Sequence, residues 1–148
     1  MLISIGSGSA SLFAHTLRLA YTLYIKMKIK IISGNVSAIA ELKNTPTAKA
    51  IYEDLPIEGA ANRWGDEIYF VIPVNMDAEP DSKEVVAEGD VAYWPEGNCL
   101  CIFWGKTPAS KGNEIRAASK VNVFGKIKGD AKVFSNVKNG DLVVLEKA

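Results

Sequence analysis

The chain has 148 residues, enough for one domain with a hydrophobic core of its own. At 48% hydrophobic and 23% charged, its composition excludes a disordered or low-complexity protein. Seventeen basic residues balance seventeen acidic ones, so no basic surplus points to nucleic acid or to an anionic membrane.

Residues 1–26 differ from the rest. They hold no Asp or Glu, two basic residues (Arg18 and Lys26) and the only histidine, His15. No basic segment opens this stretch and Arg18 interrupts its apolar part, unlike a secretory signal. It is too short and too polar at its start for a membrane span. Three readings fit: a start assigned too early, with the true one at Met27; an amphipathic helix with Leu12, His15/Thr16, Leu19 and Leu23 on one face; or a weak export signal. The expected organisation is an extension over 1–26 and one domain over 27–148.

From Lys28 to Ile32 charged and apolar residues alternate, the period of a half-buried strand. Ser33-Gly34-Asn35 predicts a turn and Val36 to Leu42 a second strand, completing a hairpin. Thr45 then suits a helix N-cap and Pro46 the first helical position. Ala48, Ile51, Tyr52 and Leu55 form one apolar stripe, and Pro56 stops the helix. Ile68 to Ile72 predicts a strand ended by Pro73. Asn75 to Ser82 reads as a solvated loop and Lys83 to Val86 as a short strand.

Residues 89–108 read GDVAYWPEGNCLCIFWGKTP and organise the domain. Val91 to Trp94 and Cys99 to Trp104 are nearly continuous apolar runs, which suits strands covered on both faces. Pro95-Glu96-Gly97-Asn98 between them predicts a hairpin turn, with Gly97 supplying a positive φ. Ala109 to Ser119 reads as a loop with a helical turn, Val121 to Ile127 as a strand, and Ala131 to Val137 as weakly structured with a short strand near Val133-Phe134. Asn139-Gly140-Asp141 turns the chain into a last strand, Leu142 to Leu145. Many short strands with one helix predict a mainly β barrel or sandwich.

Cys99 and Cys101 would share one face of a strand, where an intrachain disulfide would be strained and close almost no loop. Free thiols in a reducing cytoplasm are the expectation. A lone C-x-C, with no other Cys or His cluster, predicts no metal site, and no cofactor is expected.

Three stretches, in one order, resemble cyclophilins: Glu41-Leu42 followed by Pro46-Thr47-Ala48; Gly89 to Tyr93 with Cys99 to Thr107; and Val121 to Lys128, which is similar to the cyclophilin HVVFGKV strand. Gly89 through Pro108 is closer still to a pattern of small uncharacterised cyclophilin-like proteins of archaea and bacteria, G-D-[IV]-A-Y-W-P-x-G-x-x-x-C-[IL]-F-[FW]-G-x-T-P. The resemblance implies a closed eight-stranded antiparallel barrel with one or two short helices. It also implies that the prolyl isomerase set is mostly missing. The histidine that opens that strand in isomerases is Val121 here, their central glutamine and aromatic fall near Cys99 and Cys101, and the nearest match to their arginine is Arg63.

Arg63 offers a rigid fork of donors and Trp64 an adjacent stacking surface. With Tyr93, Trp94 and Asn98 they make up the expected ligand site. Arg63 also suits a salt bridge to Asp66 or Glu67, and the aromatics also suit a core. Asp66 and Glu67 show no desolvating context in the sequence that would fit them for acid–base work. The function expected is a non-enzymatic binding module for a peptide or small polar ligand. The alternatives are a divergent prolyl isomerase or another enzyme, and an assembly protein acting through a partner chain.

Overall fold

The computed structural model describes Ala14, Thr16, Leu17 and residues 27–148. Ala14, Thr16 and Leu17 are helical, and what the sequence suggested for the rest of 1–26 lies outside the described residues. No helix among the described residues is long and apolar enough to cross a membrane.

The fold is mainly β, and every strand pair is antiparallel. In chain order the strands are β1 (Lys28–Ser33), β2 (Val36–Leu42), β3 (Ile57–Ala60), β4 (Asn62–Arg63), β5 (Glu67–Val71), β6 (Lys83–Val86), β7 (Asp90–Trp94), β8 (Cys99–Phe103), β9 (Ile115–Lys128) and β10 (Leu142–Lys147). The helix α1 spans Pro46–Glu53, and a 3-10 helix spans Ala131–Asn136. The pairing path runs β3-β10-β1-β2-β9-β7-β8-β5-β4, with β6 attached to β9.

This corrects the expectation of eight strands in a closed cylinder: among the described residues there are ten, and no ladder joins the ends of the path. Those ends, β3 and β4, are nonetheless consecutive in the chain, with only Ala61 between them. One extended segment therefore pairs with β10 through its first half and with β5 through its second. Gly59 makes that crossing possible, because a Cβ there would stand 2.9 Å from the Phe70 ring.

Two further expectations fail. Residues 115–119 continue β9 rather than forming a loop, and 131–136 is a 3-10 helix rather than a strand. Asp130 caps that helix by accepting from the Lys132 amide at 2.9 Å.

Helix α1 starts as its sequence dictates: the Thr45 hydroxyl accepts from the Ala48 amide at 3.1 Å, and Pro46 needs no donor in the first turn. Its buried Ala48 and Ile51 join Ile29, Ile31, Phe70, Tyr93, Leu100, Ile102, Phe124 and Leu145 in the main core. Thr47 and Asn122 are buried polar residues that satisfy each other. The Asn122 amide donates to the Thr47 hydroxyl at 3.1 Å and to the Asp77 carbonyl at 3.0 Å. Its oxygen accepts from the Glu79 amide at 2.9 Å, so the acidic loop after β5 is pinned to β9.

Candidate functional site

Every residue of β8 is buried, as its continuous apolar run requires. Leu100 and Ile102 point into the main core, while Cys99, Cys101 and Phe103 point the other way into a second cluster with Val86, Ala92, Ala117 and Val121. β6 and the first half of β9 cover this outer face. Their register slips between the pairs Lys83–Val121 and Val85–Arg116, so residues 117–120 have only Glu84 opposite them. The arch leaves a pocket of about 240 Å³ lined by Trp64, Glu67, Tyr69, Trp94, Cys101, Ala117, Ala118 and Val121.

Glu67 is the chemical centre of that pocket. It is only 4% exposed, and its Oε1 has no hydrogen-bond partner. Burial raises its pKa from the ordinary 4.5 to about 8, opposed only in part by a hydrogen bond from the Cys101 thiol. At neutral pH the carboxyl is therefore mostly protonated. Burial, and then the neighbouring Glu67, raises both thiols, Cys101 well above the usual range. Both cysteines are free and buried. Neither is an activated nucleophile, since activation needs a lowered pKa or an adjacent base.

Tyr69 and Trp94 meet edge to face, with centroids 6.2 Å apart and planes at 80°. The Trp94 indole donates to the Ser119 hydroxyl at 2.6 Å, tying the arch of β9 to β7. Trp64 stands in the tight turn between β4 and β5, where its amide donates to the Glu67 carbonyl at 3.0 Å. Gly65 holds that turn with a positive φ of 62°, and a Cβ there would sit 2.8 Å from the Lys106 carbonyl. Gly65 thus packs against the Lys106-Thr107-Pro108 end of the long motif.

Of the five residues expected to form the site, Trp64 and Trp94 line the pocket. Arg63 lies outside the lining and is committed to the backbone. Its guanidinium donates to the carbonyls of Gly65 (2.8 Å), Ser135 (2.9 Å) and Val137 (3.0 Å). It also pairs with Asp66 at 3.7 Å and lies 4.9 Å over the Trp104 ring. Tyr93 is fully buried in the main core; its hydroxyl donates to the Val74 carbonyl at 2.7 Å and lies 2.9 Å from Asn98 Oδ1. Asn98 serves the hairpin turn, and it is Asn98, not Gly97, that takes the positive φ, at 51°. Gly97 is required for space, because a Cβ there would overlap the Trp94 ring. Among the described residues no group of three or more His, Cys, Asp or Glu could hold a metal ion.

The sequence offers Glu67 only as half of a carboxylate pair with Asp66 that shows no desolvating context, and the structure overturns this, because Glu67 is almost wholly buried. Within Glu67-Ile68-Tyr69-Phe70-Val71 the core-facing set is Ile68 and Phe70, which puts Glu67 on what looks like the solvent face. The covering residues come from β9, some fifty positions later. The one available signal was β8, Glu67's ladder partner, whose apolar residues on both faces imply a covered outer surface.

The family model for cyclophilin-like proteins matches residues 27–146. This chain belongs to the cyclophilin-like family. Its structure is similar to the solution structure of the hypothetical protein AF2241 from Archaeoglobus fulgidus, at 44% sequence identity and a TM-score of 0.73. The match covers 84% of this chain and 96% of that one. No curated protein matches the chain. As a cyclophilin-like protein it carries Val121, where the resembled isomerases have histidine, on the wall of the pocket, with β7 and β8 lying between its strand and that of Glu67.

Proposed function

We propose that this cyclophilin-like chain is a non-enzymatic binding module that takes a small ligand, or one side chain of a peptide, in the pocket over Glu67. Its continuous sheet sets β7, β8 and β5 side by side beneath the pocket. The observation that carries the reading is Glu67 itself. A carboxyl that is almost wholly buried, with one oxygen unpartnered, in the lining of a cavity it shares with three aromatic residues, costs stability, and the hydrogen bond from Cys101 offsets only part of that cost. Two free buried thiols suit a reducing compartment, the cytoplasm.

A catalysed prolyl isomerisation gains little support here. The Arg63 guanidinium is spent on three carbonyls, and Val121 brings no polar atom. Amide NMR of the full chain against a fragment panel of cationic, anionic and neutral compounds and short proline peptides tests the binding reading. Shifts should cluster at Glu67, Cys101, Ala117 and Val121, and a chromogenic prolyl peptide should isomerise at its uncatalysed rate. Absence of any shift at those amides across the panel, or isomerase turnover, would overturn it.

A further inference from the structure

Resting on that binding reading, we infer that the pocket selects a methylated ammonium head group, seated against the aromatic faces of Trp64, Tyr69 and Trp94 with Glu67 as its counter-charge. The polar content of the lining is sparse. Glu67 supplies the only carboxyl, and the Trp94 N–H is already given to Ser119. From β8 the groups facing Glu67 are Cys99 and Cys101, both neutral thiols; β9 contributes only Ala117, Ala118 and Val121; its own strand contributes Tyr69. No lysine or arginine among the described residues acts on the carboxyl. An anion would meet electron-rich aromatic rings and, wherever Glu67 ionises, a carboxylate, both unfavourable to it.

A cation meets the reverse. Ring faces attract positive charge, by about 0.5–2 kcal/mol each depending on solvent exclusion. Tyr69 and Trp94, set at 80°, make a corner, and Trp64 adds a third wall. A primary ammonium would bring three N–H donors into a space with one free carboxyl oxygen, leaving donors unpaired. A trimethylammonium carries its charge on methyl groups and asks for no such partners. The volume, about 240 Å³, is small beside the roughly 300–1,000 Å³ of drug-sized sites, and suits a head group rather than a whole large molecule.

Choline and its neutral carbon counterpart, with tert-butyl in place of trimethylammonium, are the probes, titrated into the full chain by calorimetry and amide NMR. Choline should bind Glu67 in its ionised form, so its affinity should rise about tenfold per pH unit from pH 5 to 7 and level off near pH 8. At pH 7 close to one proton should leave per choline bound, read from the dependence of the heat on the buffer. Glu67→Gln should weaken choline at least tenfold and spare the neutral probe. A neutral probe that binds as tightly as choline, a flat pH profile for choline, or no shift by choline at the pocket amides would each overturn the inference. If uncharged fragments shift those amides while choline does not, the binding reading stands and the ammonium preference falls. If nothing in any class shifts them, both fall.

Discussion

Tyr69 on β5 and Trp94 on β7 touch across the intervening β8, edge to face at 6.2 Å. They reach each other because the residues of β8 on that face are small. Cys101 is the ladder partner of Tyr69, and Cys99 that of Trp94. The C-x-C spacing thus serves as a floor beneath an aromatic bridge. The thiols are buried and their pKa values raised, so neither should react with a thiol-specific disulfide reagent in the native protein at pH 8. Both should react after unfolding in guanidinium. A native thiol that reacts at the rate of a free peptide cysteine would show that this floor is open to solvent.

Arg63 ties the β4–β5 turn to the C-terminal end of the 3-10 helix through Ser135 and Val137. Arg63→Ala should cost about 2–3 kcal/mol, since it leaves those carbonyls without their charged donor. Denaturant unfolding measures this. Occupancy of the pocket by any fragment that binds the native chain should change by less than threefold in the same variant. Loss of binding with unchanged stability would instead put Arg63 in contact with ligand.

Gly97→Ala should destabilise by about 1–3 kcal/mol, because the new methyl overlaps the Trp94 ring and the ring must move. Tryptophan emission should shift to the red as Trp94 leaves Tyr69. Gly34→Ala is a control for backbone strain alone: its φ is 58°, and a Cβ there meets nothing within 4 Å. It should cost less and leave the emission unchanged.

The raised pKa of Glu67 makes stability depend on pH in a definite direction. Between 4.5 and about 8 the folded chain holds a proton that the unfolded chain has released. Stability contributed by the neutral carboxyl is complete below pH 4.5, falls as pH rises, and is lost above about 8. The span is on the order of 5 kcal/mol as an upper bound, from 1.36 kcal/mol per pH unit. Glu67→Gln, which keeps the shape of the neutral acid, should flatten this slope and be the more stable protein at pH 8. Parallel curves for the two proteins between pH 5 and 8 would contradict it.

Much of the fold was legible because local signals were strong. The hairpin of β1 and β2, the capped helix α1 and the doubly buried β8 follow from alternation, from Thr45-Pro46 and from an unbroken apolar run. The failures share a cause. Glu58-Gly59-Ala60 and Arg116-Ala117-Ala118-Ser119 carry little strand propensity of their own; pairing with β10 makes the first a strand, and the β6 pairs of Ile115, Arg116 and Val121 hold the second extended between them. Trp64 and Trp94 could be picked out as large aromatics beside turns. Whether Arg63 and Tyr93 face a ligand or the protein depends on Ser135, Val137 and Val74, partners far along the chain. Glu67 was hidden for the same reason, since the sequence shows its strand but not its cover.

The buried carboxyl is tested most directly by following the side-chain carboxyl carbon of Glu67 by NMR across pH 3 to 10 in the folded chain, with Glu67→Gln to assign the signal. Its titration midpoint should lie near 8, several units above the ordinary 4.5 of a glutamate side chain. A midpoint between 4 and 5 would show a solvated carboxylate and contradict the pocket built around it.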